Sequence, residues 1–349
     1  VNNAVTQRDV SGYYMDFAAD RVLLGLELEA DRMANLKIDE QEFLAEQKVV
    51  MEERRMRFDD QPANLLDEVM RATAFQAHAY KWPTIGWPSD IAGWTREDLV
   101  RLYRLYYAPN NATLVVAGDV KRDQLMPEIR RLFGPIPRQP DPPKVITQEP
   151  PQQGERRAYL RKEAELPVLF AVHHVPTLAH PDSFALQVLS YILGGGESAR
   201  FYKQAVYEKQ VASYAGADYN PVYVDPFLFG FSAYPLPGKS AEEAEQVLQG
   251  ELDRLVQGPI PDRELQKAKN QIEAEFILAQ DSVHKLGLLL GKYETVASWR
   301  LLDRFADGVR NVTVADVQRV ARQYLTRDNR TVAILIPVKP GAAAAGVAK

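Results

Sequence analysis

There is no cysteine among the 349 residues. That excludes disulfides and thiolate-held zinc, and leaves histidine and carboxylate as the donors any metal could use. The lack is neutral on compartment. No apolar run is long enough to span a bilayer. Positive charge is not in surplus: 42 Lys and Arg stand against 47 Asp and Glu, a net charge of −5. Nothing in that balance calls for nucleic acid or an anionic membrane as partner. Histidine is scarce, five in all. The chain opens on Val1, without a methionine or a signal-like segment, and residues 1–6 read like the inside of a folded domain. The reading is a chain that starts downstream of its true N-terminus or has lost a leader.

What is present is the composition of a globular protein, 46% apolar and 26% charged. The length suggests two domains. Seven prolines fall between Pro135 and Pro151. Proline removes backbone donors and stiffens the chain toward extended forms, so this stretch reads as a spacer. The division is then residues 1–137 as one domain, 138–154 as linker and 155–349 as a second domain.

The two parts end alike. Residues 95–120 read TREDLVRLYRLYYAPNNATLVVAGDV and residues 313–338 read TVADVQRVARQYLTRDNRTVAILIPV, at a constant offset of 218 (313 − 95) without a gap. Eight positions are identical: Thr95/Thr313, Asp98/Asp316, Arg101/Arg319, Arg104/Arg322, Tyr106/Tyr324, Asn111/Asn329, Thr113/Thr331 and Val120/Val338. Thr-x-x-Asp suits a helix start, where a hydroxyl and an early carboxylate satisfy free amides. An Asn-containing turn then leads into a β-branched run that reads as a strand in both copies, 113–120 and 331–338. Any helix–turn–strand unit shares some of this pattern, but matched caps and turns at one offset indicate an internal duplication.

The duplication has a consequence for the first copy. The second half runs roughly 60 residues, from Glu155, before it reaches the equivalent of Val1 at 219 (1 + 218). Those residues hold a predicted strand (167–175) and a predicted helix (182–193) without counterparts in the first half, which therefore reads as truncated by about 60–75 residues. Further helices are predicted over 20–36, 41–58, 65–78, 241–257 and 262–278 from apolar spacing. The fold class expected is α+β: two homologous domains, each a mostly antiparallel sheet with helices packed on one face.

The stretch 42–62, EFLAEQKVVMEERRMRFDDQP, holds Glu46 and Glu53 two helical turns apart, on one face and about 10 Å apart along the axis. By itself such a pair is most often a solvated face. Its context changes that. Glu-x6-Glu followed by Arg and an Asp-Asp-x-Pro turn resembles the pitrilysin/insulinase family of zinc peptidases. Asn3-Ala4-x-Thr6, Glu29-Ala30-Asp31-Arg32, His78-x-Tyr80 with Pro83-x-x-Gly86, Tyr107-x-Pro109-x-Asn111 leading into Val115-Val116-x-Gly118-Asp119, and Gly194-Gly195-Gly196-x-Ser198-x-Arg200 resemble further family motifs in the family's order. The likeness spans nearly the whole chain, in the manner of a bacterial processing-peptidase-like subunit.

The resemblance implies that Glu53 is the distal zinc ligand and that Glu46 is a catalytic-site glutamate orienting the ligands by hydrogen bonding. It implies Zn2+ as cofactor and a peptide substrate that adds as a strand near Asn3 and Ala4, between halves arranged as a clamshell. The alternative for Glu53 is a helix carboxylate paired with Arg54 or Arg57. One departure is large: the family's H-x-x-E-H motif, roughly 75 residues before the distal glutamate, is absent from these residues. A second lies in the other half, where Val206 and Ser213 stand in the register of an arginine and a tyrosine that hold the substrate carbonyl. His173 and His174 are adjacent on a predicted strand and face opposite ways. His78, His180 and His284 read as structural, so no histidine is assigned to a metal. The functional expectation is a zinc-dependent endopeptidase subunit, acting as a homodimer or with a homologous subunit, periplasmic rather than cytoplasmic. The rival is a non-catalytic partner subunit or peptide-binding scaffold.

Overall fold

The computed structural model describes residues 1–339. In chain order the elements are β1 (Asn2–Thr6), β2 (Ser11–Met15), α1 (Val22–Asn35), α2 (Glu40–Arg54), α3 (Pro62–Ala74), α4 (Pro88–Gly93), α5 (Arg96–Tyr106) and α6 (Arg122–Phe133). They continue as β3 (Arg156–Glu163), β4 (Val168–Val175), α7 (Ser183–Gly194), β5 (Ala212–Tyr219), β6 (Phe227–Pro235) and α8 (Ala241–Gln257). The last are α9 (Asp262–Gln280), α10 (Val283–Val296), α11 (Phe305–Arg310), α12 (Val314–Tyr324) and β7 (Arg330–Val338). The fold is α+β.

Helix starts follow the sequence chemistry. Thr95 and Asp98 close a capping box at α5, as Thr313 and Asp316 do at α12 and Ser240 and Glu243 at α8. Asp39 caps α2 by accepting the N–H of Gln41 at 2.8 Å. After Arg54 the α2 ladder widens into a π-helical turn, Arg55–Asp59, before Pro62 starts α3.

Two compact units emerge. One comprises Val1–Arg55, Thr84–Ile146 and Ile277–Trp299. Its sheet is the antiparallel pair β1–β2, in the register Asn3↔Tyr14 and Ala4↔Tyr13. Leu26 and Ala30 of α1 are buried, as are Phe43 of α2, Ile91 of α4 and Leu125 of α6. Gly287 and Gly291, one turn apart on α10, face Ala117 and Val115. Here the structure corrects one expectation: residues 112–117 form no strand. A β-branched run becomes a strand only where another strand meets its N–H and C=O groups, and β1 and β2 pair solely with each other among the described residues.

The other unit comprises Met56–Pro83, Thr147–Phe276 and the chain from Arg300. Its sheet has the order β3-β7-β4-β6-β5, with β3 and β7 parallel and the remaining neighbours antiparallel. One face packs under α7, α8 and α12 around Leu186, Leu189, Leu193, Leu252, Val317 and Val320. The opposite face carries a smaller core in which Leu66, Met70 and Ala74 of α3 join Phe75 and Tyr80 against Val168, Val172, Phe227 and Leu335. Glu149, at the end of the proline-rich stretch, accepts the consecutive N–H groups of Gln76, Ala77 and His78 at 2.7, 2.8 and 2.9 Å. Burial opposes its ionisation, but these three donors prevail and hold its pKa below the ordinary value.

Each unit thus contains a segment from the other half of the sequence. Adding the repeat offset to 56–83 gives 274–301, which nearly coincides with 277–299. The exchange is reciprocal. Helix α3 serves one sheet, and α10, at the equivalent place in the repeat, packs beside β2 and residues 115–118.

Candidate functional site

Helix α2 is fixed by one side. Phe43 is buried, Gln47 donates to the carbonyls of Ile91 and Trp94 at 2.8 and 3.2 Å, and buried Arg54 donates to Gly86 O at 2.7 Å with its guanidinium over Trp87. The spacing 43, 47, 54 is one helical stripe, anchored on residues 86–94. Glu46 and Glu53 each precede a stripe residue by one position, so both lie beside the anchored face. Glu46 is exposed and Glu53 half-buried. Glu52, between them and on another side, bonds Arg55 at 2.9 Å, which lowers its pKa.

Seven residues of helix separate the backbones of the two glutamates by about 10 Å, and two carboxylates by themselves supply too few donors for a zinc ion, which takes four ligands. Among the described residues no group of three or more His, Asp or Glu side chains is arranged to hold a metal. The donors present therefore do not fit zinc on their own.

Asn3 and Ala4 lie exposed on β1, and Asn3 Oδ1 accepts the Ala4 N–H at 2.8 Å. Only one side of β1 is paired among the described residues. The adjoining strand carries two aromatic neighbours that motif reading did not single out. Tyr13 OH lies 3.0 Å from Tyr107 OH, with the Arg32 guanidinium 4.5 Å above the Tyr13 ring. Burial, and then the bond to Tyr107, raise the Tyr13 pKa. Tyr103 OH donates to the carbonyls of Arg32 and Met33 at 2.6 and 2.7 Å, closing α1 onto α5. On the other face Tyr14 meets His284 edge-on, and His284 Nδ1 lies 3.0 Å from Asp16 Oδ1. No local signal joins Asp16 to His284, 268 residues away.

The other four histidines lie in the second unit. His78 Nε2 pairs with Asp225 at 3.2 Å while its Nδ1 accepts the Tyr80 N–H, and His180 Nδ1 accepts the Asp182 N–H. His173 and His174 do face opposite sides of β4: His173 sits in the core against Phe231, and His174 against Phe75. Burial first, then the neighbouring Arg330 charge, depresses the His173 pKa to about 3.

The glycine-rich element is gripped along one stripe of α9. Glu264 takes Arg200 in a bidentate pair at 2.8 and 2.7 Å, Lys267 bonds Ser198, Gln271 donates to Gly195 O, and Glu275 accepts from Tyr191. Ser198 and Arg200 therefore serve packing between α9 and the turn after α7. Of the two departures, Val206 packs against the core and Ser213 Oγ bonds the Tyr234 carbonyl, while Tyr207 and Tyr214 are exposed.

Comparison with known proteins gives this arrangement a lineage. Residues 93–272 match the family model described as the peptidase M16 inactive domain. The zinc protease PqqE of Helicobacter pylori is 32% identical over 97% of this chain and 76% of its own length. A protease from Helicobacter pylori of known crystal structure superposes with a TM-score of 0.93 at 31% identity, covering 97% of this chain and 82% of that one. A protein of Arabidopsis thaliana named a probable mitochondrial-processing peptidase subunit beta is 24% identical over 97% of this chain and 65% of its own. With the motif order, the α+β architecture and these likenesses in agreement, the chain belongs to the M16 peptidase family.

Proposed function

We propose that this chain supplies the peptide-holding and zinc-bracing part of an endopeptidase of this family. The observation that carries the reading is the placement of Glu46 and Glu53 on one side of an anchored helix, in the same unit as a β1 edge that has no strand partner among the described residues. An extended peptide would add its backbone to β1 at Asn3 and Ala4, with side chains falling alternately on the Tyr13 and Tyr14 faces. Glu53 would give one carboxylate to a zinc ion whose imidazole donors come from elsewhere, and Glu46 would brace it through hydrogen bonds. In the assembled peptidase, Glu53→Gln should abolish zinc retention and turnover with the fold unchanged, and Glu46→Gln should reduce both less. Normal zinc content and turnover in Glu53→Gln would sink the assignment.

A second reading is favoured by Val206 and Ser213 and by the match to a domain described as inactive: a non-catalytic partner that binds peptide within a heteromeric peptidase. Under that reading the chain would still bind extended peptides, while Glu53→Gln would leave the activity of the complex untouched.

A further inference from the structure

Strand β3 forms an edge of the five-stranded sheet, and β7 is its only strand partner among the described residues. Its eight residues alternate: Arg156, Ala158, Leu160 and Lys162 are half-buried, while Arg157, Tyr159, Arg161 and Glu163 are exposed, Tyr159 by 55%. The exposed row stands beside Val332, Ile334 and Ile336 of β7, of which the first two are buried. Among the described residues no backbone hydrogen bond reaches β3 on its outer side. Arg161 and Glu163 enter no ion pair among them either. Arg157 is oriented in advance, its guanidinium held by Glu155 and by Glu245 of α8.

Charges along an edge strand ordinarily deter a further strand from pairing. This row differs, because run antiparallel against itself it is complementary. Two copies that meet about a two-fold axis perpendicular to the sheet must set exposed residues against exposed ones, so the axis passes through a residue and not between two. With the axis at Leu160, Arg157 lies opposite Glu163 and Tyr159 opposite Arg161, each pairing occurring twice. The row then makes two ion pairs and two guanidinium–ring pairs. With the axis at Tyr159, Arg157 would oppose Arg161. With the axis at Arg161, that guanidinium would oppose its own copy. One register is attractive, and the register on either side of it sets like charges directly against each other. We propose that β3 is a homodimer interface, in which a second copy of this chain adds its own β3 antiparallel about a two-fold axis at Leu160. Two five-stranded sheets then join into one of ten strands. This pairing asks nothing of Glu46 or Glu53, so it stands whether or not the molecule hydrolyses peptides.

Sedimentation velocity on the 349-residue chain over a range of concentrations should show a monomer–dimer equilibrium. Tyr159→Arg sets guanidinium groups against Arg161 in both pairs and should weaken the dimer about tenfold or more. Adding Arg161→Tyr to it exchanges the two side chains, restores the complement and should return the affinity to near the parent's. Both positions are exposed, so each variant should keep the parent's circular dichroism. Cross-linking reads the register. The chain has no cysteine, so the single variants Tyr159→Cys and Arg161→Cys carry one thiol each. Directly opposed residues lie about 4.5–5.5 Å apart at Cα, within disulfide reach, whereas each of these positions lies about 7–8 Å from its own copy. Mild oxidation of an equal mixture should therefore give the mixed disulfide about tenfold faster than either variant alone gives its own. A chain that stays monomeric overturns the proposal. So does a dimer that Tyr159→Arg leaves intact, or cross-linking of either variant to itself as fast as to the other.

Discussion

Asn329 donates its side-chain amide to the carbonyl of Tyr324 at 2.8 Å, and the same amide reaches the carbonyl of His174 on β4 at 2.8 Å. In the first copy Asn111 repeats the first bond, to Tyr106 at 2.9 Å, and lacks the second. The turn after the helix is thus built alike in both copies, but only one is tied to a strand. Asn329→Ala should cost about 1–3 kcal/mol, because a half-buried carbonyl of the sheet loses its donor. Asn111→Ala, at an exposed turn, should cost well under that. Urea denaturation of the two variants checks it, and equal losses would show that the tie to His174 adds nothing.

His173 predicts an acid-sensitive core. Its folded pKa, about 3, lies below the unfolded value of about 6.5. The unfolded chain therefore binds the proton first, so stability is fully present above pH 6.5 and is lost as pH falls toward 3. His174 is shifted downward too, chiefly by burial, so its contribution is likewise lost as the pH falls below 6.5. Between pH 6.5 and 5 His173 contributes a slope of up to about 1.4 kcal/mol per pH unit. Asp182 and Glu155, whose folded pKa values are lowered from an already acidic starting point, lose their contribution at lower pH. His173→Leu should reduce the slope between pH 6.5 and 5 by up to about 1.4 kcal/mol per pH unit. A variant with the parent's slope would place the sensitivity elsewhere.

Helix α3 predicts interdependence between segments far apart in the chain. Leu66 is fully buried in the smaller core with Val168 and Leu335. Leu66→Ala should destabilise the second unit by about 2–5 kcal/mol. A fragment beginning at 147 would leave Val168, Val172, Phe227 and Leu335 without the helix, and should unfold at lower urea concentration. Adding residues 56–83 as a peptide should restore the midpoint. A fragment as stable as that unit in the intact chain would mean that α3 contributes little.

The sequence disclosed some of this and hid the rest for physical reasons. Capping chemistry is local, so Thr95 and Thr313 announce their helices, and α8 occupies the predicted 241–257. The β-branched run of 113–120 misleads because strand formation depends on a partner, and sequence pattern alone does not supply one. Helix α10 escapes notice because Gly287 and Gly291 weaken its helical signal, although both face Val115 and Ala117. Strand β5 escapes likewise, its small residues Ala212, Ala215, Gly216 and Ala217 giving little alternation. For the site, the spacing of Glu46 and Glu53 was legible from helical geometry. Their surroundings were not, because Gly86, Ile91 and Trp94 reach α2 only through the tertiary fold.

The glycine-rich element yields the last prediction, since its glycines serve different purposes. At Gly194 a Cβ would lie 1.9 Å from the Ala217 nitrogen and 2.7 Å from its oxygen, so the end of α7 touches the backbone of β5. No rotamer change relieves a clash with backbone, and the sheet or the helix would have to move. Gly196 meets open space, but its φ of +97° lies where side chains are disfavoured. Gly196→Ala should therefore cost about 1–2 kcal/mol of local strain and leave the packing intact. Gly194→Ala should cost more and should loosen the grip of α9, because Arg200 and Ser198 follow from the turn that Gly194 places. Thermal unfolding ranks the two. Hydrogen exchange in α9 separates the causes: it should rise for Gly194→Ala and stay near the parent's for Gly196→Ala. Equal stability losses, with α9 unaffected in both, would show that the close approach at Ala217 is not what Gly194 is for.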